Sequence, residues 1–134
     1  MKKTGSLNQP LSNVIAGLGH LDTLVIADAG LPIPLHVSRI DLAVSANLPP
    51  FLQVLRATLG EMQVEGAIIA EEMEQRSPAM YEAILTLLTN NPVQKVQKIS
   101  HTAFKMQTHQ ARAVVRTGEF TPYANVILIA GVVF

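Results

Sequence analysis

The sequence predicts an α/β fold: a three-layer α/β/α sandwich with a mostly parallel, mixed sheet, formed as a single domain over residues 1–134. Three observations lead to this prediction. The length of 134 residues suits one domain. Short, wholly apolar segments are typical of strands buried on both faces. Segments with helical spacing of their apolar residues alternate with these strands.

The first half of the chain alternates helix and strand. Apolar residues at helical spacing predict a helix over residues 8–19, with Gly19 as a left-handed C-cap. The run Thr23–Ala27 predicts a buried strand that brings Asp28 to its carboxyl end. A second strand is predicted over residues 40–45, followed by a helix that begins after Pro50 and closes near residue 60.

The second half continues this alternation. Val64–Ala70 predicts a third strand, and Ser77 with the proline after it predicts the start of a helix that ends near Asn90. Residues 95–100 alternate polar and apolar, which predicts a half-exposed strand, and a short helix is expected from Phe104. Two further strands are predicted, one at residues 113–115 and a buried one over the apolar run 126–134.

The composition excludes several classes of function. Ten Lys and Arg balance ten Asp and Glu, and no basic cluster stands out, so a nucleic-acid partner is not expected. The absence of cysteine excludes disulfides, thiolate nucleophiles and iron–sulfur clusters. The longest apolar run, residues 126–134, is about half the roughly 20 residues that a membrane helix needs. With no secretion signal recognisable after Met1, we expect a cytoplasmic protein without membrane insertion.

Histidine and aspartate at the ends of elements are the first candidates for chemistry. His20 follows a predicted helix end, where it could cap the helix carbonyls or act as an acid or base near neutral pH. Asp28 follows a strand, where it could form an Asx turn or meet a ligand at the carboxyl edge of the sheet. Sequence spacing leaves both alternatives open for each residue.

Two further groups could bind a polyol. His101, a possible N-cap, and Lys105 lie one helical turn apart and could converge on one ligand, or could belong to a solvated helix face. Tyr123, Ala124 and Asn125 offer a phenol, a carbonyl and a carboxamide, the mixed donors and acceptors that sugar hydroxyls require. No histidine pair has the spacing of a helical metal site, and no nucleophile elbow or dinucleotide fingerprint is present, so we expect no metal and no cofactor.

Several motifs taken together resemble the D-ribose pyranase family over almost the whole chain. The related fucose mutarotases share the Gly-His pair, the aspartate and the Tyr/Asn region, whereas residues 31–34 and 39–41 resemble the ribose branch. The motifs are Gly19-His20-x-Asp22, Asp28 to Pro34, Arg39-Ile40-Asp41, Gln63-Val64-Glu65, Ile68 to Glu72, Ser100-His101 with Phe104-Lys105, Arg116-Thr117-Gly118-Glu119, and Pro122-Tyr123-Ala124-Asn125.

The resemblance implies interconversion of the β-pyranose and β-furanose forms of D-ribose, in a role beside ribose transport and ribokinase. It also implies a homodecamer of stacked rings, which agrees with the apolar C-terminal run and the 49% hydrophobic content expected to leave apolar surface exposed. The alternatives are a non-catalytic ribose-binding accessory protein and a mutarotase for another monosaccharide such as fucose.

Matched position by position, the resemblance implies that His20 is the proton donor. It implies that Asp28, His101 and Tyr123 to Asn125 bind the sugar, with Lys105 as a further contact. Ring opening needs one proton delivered to the ring oxygen and one removed from the anomeric hydroxyl, which acid–base side chains can carry without a cofactor. Asp28 could orient His20, accept sugar hydroxyls or act as the base.

Overall fold

The computed structural model describes every residue, Met1–Phe134. The chain forms five α-helices and six strands, with a single 3-10 turn at Thr108–Gln110. In chain order these are α1 Gln9–Gly17, β1 Thr23–Ala27, β2 Ser38–Asp41, α2 Phe51–Leu59, β3 Val64–Ala70, α3 Met73–Arg76, α4 Pro78–Asn90, β4 Lys95–Ile99, α5 His101–Gln107, β5 Ala113–Arg116 and β6 Val126–Ala130.

All six strands belong to one mixed sheet of order β2-β5-β1-β6-β3-β4. Strand β6 lies antiparallel between β1 and β3, and every other pairing is parallel. The five parallel strands therefore end at the same edge of the sheet, where β6 begins; we call this the carboxyl edge. The opposite edge, where β1 and β3 begin, is the amino edge. The mostly parallel, mixed sheet expected from the sequence is confirmed.

Helices cover both faces of the sheet. The side chains of the strands alternate between the two apolar cores that lie under these helices. The larger core holds 22 buried residues and lies beneath α1, α2 and α4. The smaller core holds nine, with Phe104 of α5 at its centre. Within β1, Leu24 and Ile26 face the first core, and Val25 and Ala27 face the second. The three-layer α/β/α arrangement is thus confirmed.

The second strand is shorter and earlier than predicted, Ser38–Asp41 in place of 40–45. The Asp41 carboxylate accepts a hydrogen bond from the main-chain amide of Ala43, and the amide of Val44 donates to the carbonyl of Leu48. These bonds turn the chain back on itself, so the apolar residues after Asp41 leave the sheet.

The last strand also ends early, at Ala130 rather than at the C-terminus. Its neighbours begin at Thr23 and Val64, which pair with Ile129 and Ala130, so no strand remains for the chain beyond that point. Val133 and Phe134 are exposed. The prediction of a buried strand over 126–134 is therefore wrong for its last four residues.

Two helix ends differ from the expected ones. Leu18 caps α1, and the left-handed backbone near it belongs to Leu21 at φ 68° rather than to Gly19. Ser100 caps α5, because its hydroxyl accepts a hydrogen bond from the amide of Ala103, so the helix begins at His101 and not at Phe104. The short helix α3 was not predicted, and β4 is almost wholly exposed rather than half-exposed.

None of the helices combines the length and the apolar character needed to cross a membrane.

Candidate active site

A cleft of about 610 Å³ opens at the carboxyl edge of the sheet. The segments that follow β1, β4 and β5 and the segment that precedes β6 form its walls, as expected for a ligand site in an α/β sheet. Its apolar side consists mainly of Leu31, Pro32 and Phe120. The charged and polar side chains that line it are Asp28, Arg76, His101, Lys105, Arg116, Glu119, Thr121 and Tyr123.

Asp28 is fixed in the cleft wall by three hydrogen bonds. Its Oδ1 accepts from the amide of Gly30 at 2.9 Å, which is the Asx turn that the sequence allowed. Its Oδ2 accepts from Asn125 Nδ2 at 2.8 Å, and its own amide donates to Asn125 Oδ1 at 2.9 Å. Each carboxylate oxygen keeps a free lone pair, so Asp28 can also accept hydrogen bonds from a ligand.

His101 presents an unsatisfied nitrogen inside the structure. Its Nδ1 is buried and has no hydrogen-bond partner. The ring lies edge-on to Tyr123, with centroids 5.0 Å apart, and stacks on Phe104. The other ring nitrogen, Nε2, has no hydrogen-bond partner either and is not buried, so it is the atom of His101 that can meet a ligand hydroxyl in the cleft.

The electrostatics keep the His101 imidazole neutral at neutral pH. Burial, together with the nearby charge of Lys105, holds the pKa of His101 below its ordinary value. The carboxylate of Glu72 accepts the main-chain amide of His101 at 2.9 and 3.0 Å, and this hydrogen bond lowers the pKa of Glu72. A neutral imidazole has one donor and one acceptor nitrogen, which suits the binding of a neutral polyol.

The loop before β6 is held by Glu119. Burial alone would raise the pKa of this carboxyl, but hydrogen bonds from the amide of Phe51 and from Thr121 outweigh it and keep the pKa below its usual range. Tyr123 adopts a left-handed backbone with φ 64°, and the hydroxyl of Ser77 donates to the carbonyl of Pro122. These contacts hold the Tyr123 side chain at the cleft.

Two cations at the cleft have no side-chain partner. Arg116 is tied to the carbonyl of Ala29 and to Asp41, whereas neither Lys105 nor Arg76 makes a side-chain hydrogen bond or ion pair. Lys105 can therefore donate to a ligand oxygen without breaking an existing contact.

His20 lies far from this cleft within the same chain. It precedes β1 at the amino edge, whereas Asp28 follows β1 at the carboxyl edge. A strand of five residues spans roughly 16 Å, so the two side chains do not meet. Nε2 of His20 lies 2.9 Å from the carboxylate of Glu65, and the imidazole makes no hydrogen bond to the α1 carbonyls. The helix-capping interpretation of His20 is therefore wrong.

The loop that carries His20 is itself anchored. Asp22 Oδ2 accepts hydrogen bonds from the amide of Gly19 at 2.8 Å and from Arg112 Nε at 3.0 Å. The Gly19 contact, followed by the Arg112 ion pair, lowers the pKa of Asp22. His20 is thus an exposed imidazole on a fixed loop.

Of the residues singled out from the sequence, the structure brings Asp28, His101, Lys105 and Tyr123 together at the cleft. Ala124 and Asn125 are fully buried behind it, and Asn125 acts through Asp28. Sequence reasoning by spacing missed the cleft residues Arg76, Arg116, Glu119 and Thr121, and the His20 partner Glu65. The signal for Arg116 and Glu119 was their position at the carboxyl end of a parallel strand, since Arg116 is the last residue of β5 and Glu119 lies in the segment that follows it.

The arrangement is suited to bind and protonate a neutral, hydroxyl-rich molecule. The cleft combines a carboxylate, a neutral imidazole, a phenol and an ammonium, which together can donate to and accept from several hydroxyls. No three His, Asp or Glu side chains are grouped so that they could hold a metal ion.

Comparisons with known proteins agree over the whole chain. The family model of the RbsD / FucU transport protein family matches residues 1–133. A D-ribose pyranase from Chloroflexus aggregans is 57% identical, and one from Pasteurella multocida is 52% identical, each with 100% of both chains covered.

The solved structures show the same fold. Bacillus subtilis RbsD complexed with D-ribose superposes with a TM-score of 0.95 at 46% identity, with 100% of both chains covered. The fucose mutarotase of Streptococcus pneumoniae, in complex with L-fucose, gives a TM-score of 0.79 at 22% identity over 96% of this chain and 95% of its own. The second likeness concerns the fold alone.

Proposed function

This chain belongs to the RbsD / FucU transport protein family, and from that premise we propose that it is a D-ribose pyranase. It is an isomerase, a sugar mutarotase that interconverts β-D-ribopyranose and β-D-ribofuranose. The whole chain, residues 1–134, acts as one such domain. The proposal is supported by the full-length identity of 52–57% to relatives named D-ribose pyranase.

The observation that carries the proposal is the His101 imidazole, which has no hydrogen-bond partner, in the same cleft as the Asp28 carboxylate that Asn125 holds in place. Both belong to a cleft large enough for a pentose. Asp28 accepts sugar hydroxyls, His101 and Tyr123 bind further hydroxyls, and Lys105 donates to a sugar oxygen. Asn125 and Ala124 form the wall behind them.

The reaction conserves protons. In ring opening, a proton is delivered to the ring oxygen O5 while the anomeric hydroxyl loses one; the C1–O5 bond breaks and C1 becomes an aldehyde. After rotation, the C4 hydroxyl adds to C1, the aldehyde oxygen gains a proton and O4 loses one. His20 donates the first proton, and these steps use no metal or organic cofactor.

We assign the His20 of each site to a neighbouring subunit. In one chain His20 and Asp28 lie at opposite edges of the sheet, and half of the His20 side chain is exposed. Packing the amino edge of one copy against the cleft of another would bring them together. The homodecamer expected from the sequence provides such contacts, and the exposed Leu35, Val44 and Phe134 provide apolar surface for them.

The cellular role follows from this chemistry. The protein acts in the cytoplasm together with ribose transport and ribokinase. It supplies the ring form of ribose that the next step consumes. The second candidate is a ribose-binding accessory protein without turnover, which the family description as a transport protein favours.

Exchange spectroscopy by NMR on equilibrating D-ribose tests the proposal. An enzyme present at far below the sugar concentration raises the pyranose-to-furanose exchange rate, whereas an accessory protein leaves the rate unchanged. The same assay with L-fucose tests whether another monosaccharide is the substrate. An exchange rate equal to that of ribose alone would overturn the proposal.

A further inference from the structure

The partner of His20 is the extra residue of a β-bulge. Along β3 and β6, Val64 pairs with Ala130 and Gly66 pairs with Ile129, so Glu65 has no residue opposite it. A bulge bends the strand locally and changes the direction in which a side chain points. In this sheet it occurs at the amino edge, and the Glu65 carboxylate reaches His20 Nε2 at 2.9 Å.

Glycines make this irregular backbone possible. A Cβ on Gly131 would lie 3.1 Å from Glu65 Cβ and 3.3 Å from its amide nitrogen. A Cβ on Gly66, the next residue of β3, would lie 3.3 Å from Ile129 Cδ1. The chain thus keeps two small residues where larger ones would push against the bulge or against its partner strand.

From this geometry we propose that Glu65 is a positioning residue for His20, which fixes the orientation and the tautomer of the imidazole. The inference rests on the proposed function, because it assigns the catalytic nitrogen of that reaction. An ionised carboxylate can only accept hydrogen bonds, so Nε2 carries the hydrogen that is shared with Glu65. Nδ1 is then the atom that exchanges a proton with the sugar: the doubly protonated ring donates from Nδ1 and is left as the Nε2–H tautomer, which can take a proton back when the new ring closes.

The contact between His20 and Glu65 is not explained by a contribution to folding stability. The side chains of His20 and Glu65 are 51% and 36% exposed, and exposed ion pairs contribute little to folding. A carboxylate that holds an imidazole in one tautomer contributes instead to the rate of proton transfer, because the reactive nitrogen already faces its target.

The test compares Glu65→Ala and Glu65→Gln with the wild-type assembly. We expect Glu65→Ala to lower kcat for ribose exchange by about ten-fold or more and to leave KM within about two-fold. Glu65→Gln keeps an oxygen that can accept the Nε2 hydrogen, so its kcat should lie between those of the other two. Glu61→Gln, which removes the carboxylate charge that pairs with Lys2, is the control and should keep wild-type kcat.

A spectroscopic measurement makes the result independent of activity. In protein labelled with ¹⁵N-histidine, the imidazole shifts of His20 should report the Nε2–H tautomer in the wild type and a mixture in Glu65→Ala. Wild-type kcat in Glu65→Ala, or an unchanged tautomer, would overturn the inference. If the wild type catalyses no exchange, the proposed function fails, and the tautomer comparison still decides whether Glu65 holds the ring.

Discussion

Asn125 binds Asp28 through two hydrogen bonds that join neighbouring antiparallel strands. The amide of Asp28 donates to Asn125 Oδ1 at 2.9 Å, and Asn125 Nδ2 donates to Asp28 Oδ2 at 2.8 Å. Asp28 follows β1 and Asn125 precedes β6, so the pair closes the carboxyl edge between these strands. The Asp28 carboxylate is therefore fixed before any sugar arrives.

Asn125→Ala should weaken both folding and ribose binding. The substitution removes the buried Asn125 carboxamide and leaves the part-buried Asp28 amide without its acceptor, which should lower the free energy of unfolding by about 1–3 kcal/mol. It also frees the carboxylate that accepts sugar hydroxyls, so ribose affinity should fall. Urea denaturation and calorimetric titration measure the two effects.

Asn91→Ala is the matched control for that substitution. Asn91 Nδ2 donates to the carbonyl of Leu87 at the end of α4, away from the cleft. Its loss should cost only about 0.5–1.5 kcal/mol and leave ribose affinity unchanged. Equal affinities in the Asn125→Ala variant and the wild type would contradict the role given to the Asp28–Asn125 pair.

The stability of the protein should fall between pH 7 and pH 5 because of His101. Burial and Lys105 lower the pKa of His101 in the folded state, so below about pH 6.5 the unfolded chain takes up a proton that the folded one resists. Stability is therefore lost as the pH falls through this window. His101→Gln should show a smaller loss in urea denaturation across the same range.

The lowered pKa values of the Glu72 and Glu119 carboxyls affect stability in a different pH range. Their contribution is present above about pH 4.3 and is lost as the pH falls below it, so it does not overlap with that of His101. Identical slopes between pH 7 and pH 5 for His101→Gln and the wild type would show that His101 is not the group responsible.

Gly118→Ala should destabilise the protein by about 3 kcal/mol and reduce exchange activity. An added Cβ would lie 2.6 Å from the main-chain nitrogen of Leu48, and it would push apart two loops joined by the amide of Gly118 and the carbonyl of Pro49. The displaced loop carries Tyr123. Thermal unfolding and the NMR exchange assay measure both consequences.

Gly17→Ala is the control for Gly118→Ala, because it adds the same methyl group where there is space for it. No atom lies within 4 Å of an added Cβ at this helical position, so the substitution should be neutral or stabilising by up to about 1 kcal/mol. If both alanine variants unfold at the same temperature as the wild type, the close approach at Gly118 is not important for stability.

His20→Ala should separate catalysis from binding. The variant should lower the exchange rate by roughly 10² or more and keep ribose affinity within a few-fold, because proton donation acts mainly in the transition state. The exchange assay and calorimetry give the two numbers. Recovery of the full wild-type rate at saturating ribose would mean that His20 only binds the sugar.

The main features of the fold could be predicted from the sequence because the buried strands carry strong local signals. Thr23–Ala27 and Val64–Ala70 were predicted with the bounds that the structure has. The end of β6 could not be predicted, since it depends on where its neighbours begin rather than on the apolar residues that follow Ala130.

The candidate site was predictable in part for a similar reason. Asp28 directly follows β1 and His101 lies two residues after β4, so both are at the carboxyl ends of parallel strands and topology alone brings them to the same edge. Glu65 could not be found, because a bulge that depends on strand register directs it toward His20. The separation of His20 from Asp28, by contrast, was implicit in the predicted strand Thr23–Ala27, because a five-residue strand holds its two ends roughly 16 Å apart.

Subunit mixing tests the central claim, that one subunit supplies His20 and a neighbour supplies the cleft. His20→Ala and His101→Ala assemblies should each be nearly inactive in ribose exchange. If the two chains are unfolded together, refolded and allowed to assemble at random, about one quarter of the sites combine an intact His20 with an intact cleft. We therefore predict recovery of about one quarter of the wild-type rate, and a mixed assembly no more active than its two parents would contradict the account.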